Sequence, residues 1–159
     1  MPARLMRERT TTERRLRWSR GTAVVCWLPM EQRFAVRVYY EDTDSMGVVY
    51  HANYLRFLER ARSEMIGSLG PSVQEWTTRG LMFPIYSIAM TFKAPARLCD
   101  DLIVLTRAKQ TSPFRITFEQ RIERPADGRL IVEAKVDAVC TDLQGGLREF
   151  PELRMLQGA

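Results

Sequence analysis

The stretch RFAVRVYYEDTDSMGVVYHANYLRFLERARSEM, residues 33–65, joins two patterns of apolar residues through an acidic turn. Apolar and polar side chains alternate over 33–40, which predicts a half-buried β-strand. From Asn53 onward the apolar side chains recur at three- and four-residue intervals, which predicts one long amphipathic helix that Asn53 caps. The apolar positions of this helix are Tyr54, Leu55, Leu58, Ala61, Met65 and Leu69. We expect its arginines, at positions 56, 60 and 62, to lie on the solvated face.

Beyond this helix the chain alternates apolar and polar residues almost to its end. The Ser-x-x-Glu pattern of Ser72 and Glu75 predicts the start of a second, short helix. Strands are predicted at 82–93, 101–110, 114–124, 130–142 and 146–156. An antiparallel sheet of five or six strands wrapped around the long helix would bury the helix's apolar face, so the sequence predicts an α+β fold. The edges and outer face of such a sheet favour association of identical chains.

The first 29 residues differ in composition from the rest of the chain. They hold seven arginines, no lysine and two glutamates, whereas residues 30–159 hold 17 basic and 17 acidic residues. The formal charge of +5 therefore belongs to residues 1–29, which we interpret as a disordered extension or the result of a misassigned start codon. An export signal and an organelle transit peptide are the alternatives. Residues 30–159 are predicted to form one domain, and their neutral charge argues against nucleic-acid binding.

The cysteine and histidine content restricts the chemistry. Cys26, Cys99 and Cys140 are scattered without CxxC spacing, which favours free thiols in a reducing compartment and predicts a cytoplasmic protein. His51 is the only histidine, so a multi-histidine metal site is excluded. The sequence contains no GxSxG elbow, no GxGxxG after a strand and no P-loop, and we expect no metal and no cofactor. No apolar run approaches the ~20 residues that a transmembrane helix needs.

The acidic turn is the remaining candidate for chemistry. Asp42 and Asp44 form a DxD pair, but no nucleotide-binding βαβ unit accompanies them, and solvated surface charge explains Asp42 well. Asp44 precedes Gly47, which permits a tight turn, and His51, which lies near the predicted helix start. Unpaired N–H groups at a helix N-terminus can polarise a carbonyl, and a nearby carboxylate can attack it or deprotonate a water molecule. For His51 a single structural hydrogen bond is an equally good interpretation.

Two segments resemble a known family. VRVYYEDTDSMGVVYHANYLRFLERARSEM (36–65) and MTFKAPARLCDDLIVLTRA (90–108) are similar to hotdog-fold acyl-CoA thioesterases of the 4-hydroxybenzoyl-CoA thioesterase superfamily. The similarity is to the YbgC-like branch, which is linked to the Tol–Pal cell-envelope system, and it covers roughly residues 33–142. It implies a hotdog fold, with an antiparallel sheet wrapped around one long helix. It also implies homodimers or homotetramers with active sites at the subunit interface.

The resemblance further implies roles for single residues. Asp44 matches the family's catalytic aspartate and His51 its motif histidine, while Gly47, Tyr50 and Asn53 match substrate-binding positions. The backbone N–H of His51 matches the group that polarises the thioester carbonyl. The implied reaction hydrolyses acyl-CoA to a carboxylic acid and free CoA, with Asp44 as nucleophile or general base. The alternatives are a non-catalytic binding module for an acyl-carrier protein or a cell-envelope partner, and a hotdog dehydratase or hydratase.

Overall fold

The computed structural model describes residues 26–27 and 31–151 of the 159-residue chain. In chain order the elements are β1 (Cys26–Trp27), β2 (Gln32–Arg37), a 3₁₀ turn (Tyr40–Asp42), α1 (Asn53–Ser68), α2 (Val73–Thr78), β3 (Leu81–Met82), β4 (Ile85–Phe92), β5 (Asp101–Ser112), β6 (Arg115–Arg124), β7 (Arg129–Val139) and β8 (Thr141–Asp142). Strand β1 falls inside the predicted N-terminal extension, residues 1–29, yet it pairs with β5. The rest of that extension lies outside the described residues.

Six antiparallel strands form the main sheet. Strands β1 and β2 both pair with β5, and β6, β7 and β4 follow in that order on its other side. Tight hairpins join β5 to β6 and β6 to β7, and the second of these turns places Gly128 at φ 65. Strands β3 and β8 form a separate two-stranded sheet. The predicted α+β architecture, an antiparallel sheet with one long helix, is therefore confirmed.

Two predicted strands are each interrupted in the structure. The 82–93 prediction divides into β3 and β4 at Pro84, which has no N–H to donate to a ladder and whose carbonyl instead accepts from the Val139 N–H at 3.1 Å. The 130–142 prediction divides into β7 and β8 at Cys140, whose N–H donates to the Phe114 carbonyl at 3.1 Å. Both breaks come from local hydrogen bonding that alternating hydrophobicity does not report.

Of two other predicted strands, one ends earlier than predicted and one is absent from the described residues. The strand predicted over 33–40 ends at Arg37, because the chain turns into the 3₁₀ segment that begins at Tyr40. The strand predicted over 146–156 is absent from its described part, where Leu147 forms only an isolated bridge with Thr141. Residues 152–156 lie outside the described part of the chain.

Helix α1 packs one face against the sheet and contributes to two clusters of buried apolar side chains. Tyr54, Phe57, Leu58 and Ala61 belong to the first cluster, and Met65 belongs to the second. Helix α2 adds Trp76 to the second cluster, and its start has the predicted capping pattern of Ser72 and Glu75. In the described part of the chain, no helix is long and apolar enough to cross a membrane.

A polar network crosses the core between the two apolar clusters. The prediction that Arg62 is solvated is wrong, because its guanidinium is buried and donates through Nη1 to Gln120 Oε1 at 2.8 Å. Gln120 Nε2 donates to the Leu58 carbonyl and to Thr106 Oγ1, each at 3.0 Å. Burial lowers the pKa of Arg62. The Gln120 amide thus links the helix to β5 and β6 through three hydrogen bonds.

The edge strand β4 is largely exposed. Its large apolar side chains Ile85, Tyr86, Ile88 and Phe92 are 42–66% accessible. Among the described strands only β7 pairs with it, so one of its two rows of backbone N–H and C=O groups has no ladder partner there. An exposed apolar edge of this kind is a surface that folded proteins normally cover.

Candidate active site

Residues 43–49 form a tight hairpin that presents Asp44 beside the start of α1. Thr43 and Val49 form an antiparallel bridge, and the Asp44 N–H donates to the Val48 carbonyl at 2.9 Å. The Gly47 N–H donates to the Asp44 carbonyl at 2.9 Å, which closes the turn. Gly47 has φ 72, a left-handed conformation that strains residues with a side chain. The turn expected at Gly47 is therefore present.

The Asp44 carboxylate is only partly engaged by the protein. Its Oδ1 accepts a hydrogen bond from the Met46 N–H at 2.8 Å, which fixes the rotamer of the side chain. No described residue donates to its Oδ2, and the side chain is half-buried. The turn thus holds one carboxylate oxygen, and the other has no hydrogen-bond donor among the described residues.

The other member of the DxD pair, Asp42, is buried, and the expectation of surface charge there is wrong. Its Oδ2 accepts from the Tyr39 N–H at 2.9 Å, and its backbone carbonyl accepts from the Tyr50 N–H at 2.8 Å. The two aspartates therefore have different environments, since Asp42 is buried and bonded within the turn and Asp44 is half-buried. In the described part of the chain no group of Asp, Glu, His and Cys side chains has the arrangement of a metal site.

Asn53 lies at the start of α1 but does not cap it. The N-cap residue is Ala52, which has no capping side chain, and Asn53 is the first helical residue. The Asn53 Nδ2 group donates to the Asp42 carbonyl at 3.0 Å and lies 3.5 Å from the Glu41 carbonyl. The predicted cap is therefore wrong, and the buried amide instead ties the first turn of the helix to the acidic turn.

The N-terminal end of α1 is open. No described residue accepts a hydrogen bond from the backbone N–H of His51 or Ala52, and the first helical turn carries no acidic residue. The partial positive charge of this helix end is therefore not neutralised by its own sequence. The His51 side chain is exposed, and its ring lies 4.3 Å from the ring of the half-exposed Tyr50.

The loop at 94–97 supports the hairpin from the other side. The Val49 N–H donates to the Ala96 carbonyl at 2.9 Å, and Val48 forms a bridge with Arg97. The Ala96 N–H donates to the Tyr54 hydroxyl at 3.1 Å. Burial is the main cause that raises the pKa of Tyr54, and the negative charges of Asp100 and Asp44 raise it further. The sequence indicated Tyr54 only as a core residue, because hydrophobic spacing does not reveal the contact of its hydroxyl.

The predicted site residues thus divide by environment. Asp44, Gly47, Tyr50 and His51 lie on the outward side of one continuous segment, whereas Asn53 is buried beneath it. A cavity of about 570 Å³ lies elsewhere, on the sheet face opposite α1. It is lined mainly by side chains of both charges, among them Glu31, Arg107, Glu119, Arg121, Glu133 and Lys135. None of the candidate site residues lines that cavity, and Gly47, Tyr50 and His51 are exposed in the single chain.

Comparison with known proteins places this chain among thioesterases. The sequence model of the thioesterase-like superfamily matches residues 38–156. The acyl-CoA thioester hydrolase YbgC of Escherichia coli O6:H1 is 43% identical over 110 residues, which cover 69% of this chain and 81% of that protein. The YbgC acyl-CoA thioesterase of Haemophilus influenzae is 41% identical over 111 residues, which cover 69% of this chain and 80% of that protein.

Solved structures give the same result. A probable thioesterase from Bartonella henselae superposes with a TM-score of 0.72 at 33% identity, covering 77% of this chain and all of that one. A 1,4-dihydroxy-2-naphthoyl-CoA thioesterase from Synechocystis superposes with a TM-score of 0.74 at 26% identity, covering 77% of this chain and 91% of that one. The hotdog fold predicted from the sequence is therefore confirmed.

Proposed function

The chain belongs to the thioesterase-like superfamily, and from that premise we propose that it hydrolyses acyl-CoA thioesters to a carboxylic acid and free CoA. One observation carries the assignment of the site. The Asp44 carboxylate, whose Oδ2 has no described donor, lies on a hydrogen-bonded hairpin beside a helix start whose N–H groups at His51 and Ala52 have no described acceptor. A negative group and an electropositive helix end are the two parts that hydrolysis of a thioester requires.

In the proposed reaction the thioester carbonyl oxygen accepts hydrogen bonds from the free N–H groups at the start of α1. These groups stabilise the negative charge that develops on this oxygen as the carbonyl carbon becomes tetrahedral. Asp44 either removes a proton from the attacking water or attacks the carbon itself, giving a mixed anhydride that water then hydrolyses. The C–S bond breaks, the sulfur leaves with the bonding electron pair, and protonation yields free CoA.

The remaining site residues receive supporting roles. His51 is exposed beside Tyr50, and we assign both to contact with the substrate or the attacking water. Gly47 lacks a side chain at the turn, so the backbone beside Asp44 stays accessible. The buried position of Asn53 favours an indirect contribution, in which its amide holds the helix start against the acidic turn.

We further propose that the active form is at least a homodimer, joined through β4. The support is the exposed apolar strand edge and the exposure of Gly47, Tyr50 and His51 in a single chain. Antiparallel pairing of β4 with its copy is isologous and would continue the sheet across the two-fold axis. Phe92 at the end of β4 lies 5.8 Å, centroid to centroid, from the ring of Tyr54. A second copy along this edge would therefore approach the first turn of α1. Assembly to a tetramer stays a prediction.

The predicted location and protein partners are part of the same proposal. Cys99 and Cys140 are free thiols, which is consistent with a cytoplasmic site of action. The acyl-carrier protein and the Tol–Pal link stay predictions that follow from the resemblance to the YbgC-like branch. The identity of the acyl group, aromatic or aliphatic, is a question for a substrate panel.

The direct test is the Asp44→Asn variant, assayed with a panel of aliphatic and aromatic acyl-CoAs and a colorimetric thiol reagent. We expect kcat to fall by about 10²–10⁴-fold, because the catalytic carboxylate is lost while the amide keeps its size. Asp101→Asn is the matched control, since that carboxylate is exposed and pairs with Arg37 at the surface. Near-normal turnover by Asp44→Asn would refute the catalytic assignment. Absence of thiol release by the unmodified protein with every acyl-CoA would instead favour the non-catalytic binding module.

A further inference from the structure

We propose that Tyr54 is a positioning residue for thioester hydrolysis, and that its hydroxyl fixes the start of α1 relative to the hairpin carrying Asp44. The inference rests on the proposed function. Its basis is a continuous path of hydrogen bonds. The Tyr54 hydroxyl accepts from the Ala96 N–H at 3.1 Å, and the Ala96 carbonyl accepts from the Val49 N–H at 2.9 Å. Val49 is in turn the bridge partner of Thr43, the residue that precedes Asp44.

Ala96 belongs to the 94–100 loop, which is firmly attached to the sheet. Arg124, at the end of β6, donates through Nη1 to Asp100 Oδ2 at 2.8 Å. The same carboxylate oxygen accepts from the Arg97 N–H at 2.9 Å. The Asp100 carbonyl also accepts from the Val38 N–H at 2.9 Å. The 94–100 loop is therefore a fixed platform that holds the hairpin on one side and, through Tyr54, the helix on the other.

The environment of Tyr54 isolates the hydroxyl as the functional part of the side chain. The residue is 3% exposed, and its ring packs against Phe57 at 6.1 Å and Phe92 at 5.8 Å between centroids. A phenylalanine would fill the same volume and make the same ring contacts. Phenylalanine could not, however, accept the hydrogen bond from the Ala96 N–H. No described residue accepts the Tyr54 hydroxyl proton, so this one accepted bond is its described polar contact.

The geometry explains why a single hydrogen bond matters to the reaction. The groups that would contact the carbonyl oxygen belong to the start of α1, and the carboxylate that would act on the carbon or on water belongs to the hairpin. Reaction requires both parts at once, and misplacement by about 1 Å costs on the order of 10²-fold in rate. The Tyr54 hydroxyl joins the helix to the platform that supports the hairpin, so its loss loosens one part relative to the other.

The test is the Tyr54→Phe variant of the full chain, assayed at a temperature well below its melting point. We expect kcat to fall about 10- to 100-fold and KM for acyl-CoA to stay within about 2-fold, because alignment is lost and ground-state contacts are not. The melting temperature should also fall, since the Ala96 N–H is left unpaired. Tyr40→Phe, which removes a hydroxyl from an exposed tyrosine outside β4, should leave kcat unchanged. A variant that melts earlier but keeps full kcat per folded molecule overturns the proposal.

A double variant links the effect to the carboxylate. If Tyr54 acts by aligning Asp44 with the helix start, adding Tyr54→Phe to Asp44→Asn should cost little further activity. Fully multiplicative losses would overturn the proposal. If Asp44→Asn alone keeps normal turnover, the proposed function fails at Asp44, while the effect of Tyr54→Phe on kcat is still measured separately. Should Tyr54→Phe not fold, Arg124→Gln loosens the same loop from the sheet side; an unchanged kcat there overturns the proposal.

Discussion

Replacing Asn53 separates two roles that the sequence motif alone confounds. The resemblance to thioesterases implies a substrate-binding position, whereas the structure buries the Asn53 amide against the Asp42 carbonyl at 3.0 Å. Asn53→Ala removes that hydrogen bond and the longer one to the Glu41 carbonyl. The Asp42 carbonyl keeps its hydrogen bond from the Tyr50 N–H, so the variant does not leave that buried carbonyl without a donor.

The expected cost follows from these contacts. One good and one marginal hydrogen bond are lost without an orphaned partner, so we expect about 1–2 kcal/mol of destabilisation. An ordered body of about 120 residues unfolds with an entropy near 0.25 kcal/mol per kelvin, so Tm should fall by about 4–8 °C. Asn53→Asp should cost more, about 3 kcal/mol or above, because a carboxylate would face the Asp42 carbonyl in a buried position.

The assay combines thermal melting with steady-state kinetics for one acyl-CoA. If the Asn53 amide anchors the helix start, Asn53→Ala should have a lower Tm, a moderately lower kcat and an unchanged KM. Asn53→Asp should be the less stable of the two variants. The matched control is Arg56→Ala, a change at an exposed residue in the same helical turn, which should leave all three quantities nearly unchanged. A tenfold rise in KM with an unchanged Tm would refute this reasoning and favour direct contact between Asn53 and the substrate.

Two further predictions concern the core and the strand edge. Gln120→Leu should destabilise the protein by about 3–5 kcal/mol, because it leaves the buried Arg62 guanidinium without its acceptor, and adding Arg62→Met should restore much of that loss. Chemical denaturation of both single variants and the double variant checks this. A cost of Gln120→Leu below about 1 kcal/mol would contradict the prediction. Ile88→Lys should lower the mass measured by sedimentation to that of one chain and reduce activity, because a charge on the exposed edge opposes strand pairing. The control Leu143→Lys, at a similarly exposed residue outside β4, should do neither. An unchanged mass for Ile88→Lys would exclude β4 as the interface.

The sequence was informative wherever one periodic signal decided the outcome. Alternating residues predicted the central strands, and three- and four-residue spacing predicted α1. The order of these elements predicted the α+β fold, and the motif around Asp44 predicted the family. The tight turn at Gly47 is likewise expected from residue type, and the structure adds its left-handed conformation. These features depend on local conformational preferences and on the burial of one face of an element, and both can be recognised from residue types and their spacing in one sequence.

Polar side chains with partners distant in sequence could not be predicted in this way. Arg62 is charged and falls at the flank of the helical stripe, and only the position of Gln120, 58 residues later, explains its burial. Asp42 and Asp44 look alike in the sequence, yet the backbone course makes one structural and leaves the other open. Asn53 likewise reaches back to Asp42 instead of capping its own helix. Hydrophobic periodicity contains no information about such contacts.

The polar network in the core has a consequence for the docking of the helix. Apolar faces alone tolerate sliding, since one turn of displacement, about 5.4 Å, exchanges one aliphatic contact for another. The Gln120 amide favours the observed register, because a displaced helix would lose the hydrogen bonds to the Leu58 carbonyl and from the Arg62 guanidinium. A glutamine deep in the sheet thus acts as an axial stop for the helix. It helps to hold α1 at one position along the sheet, in addition to the contacts of Asn53 and Tyr54 at the helix start.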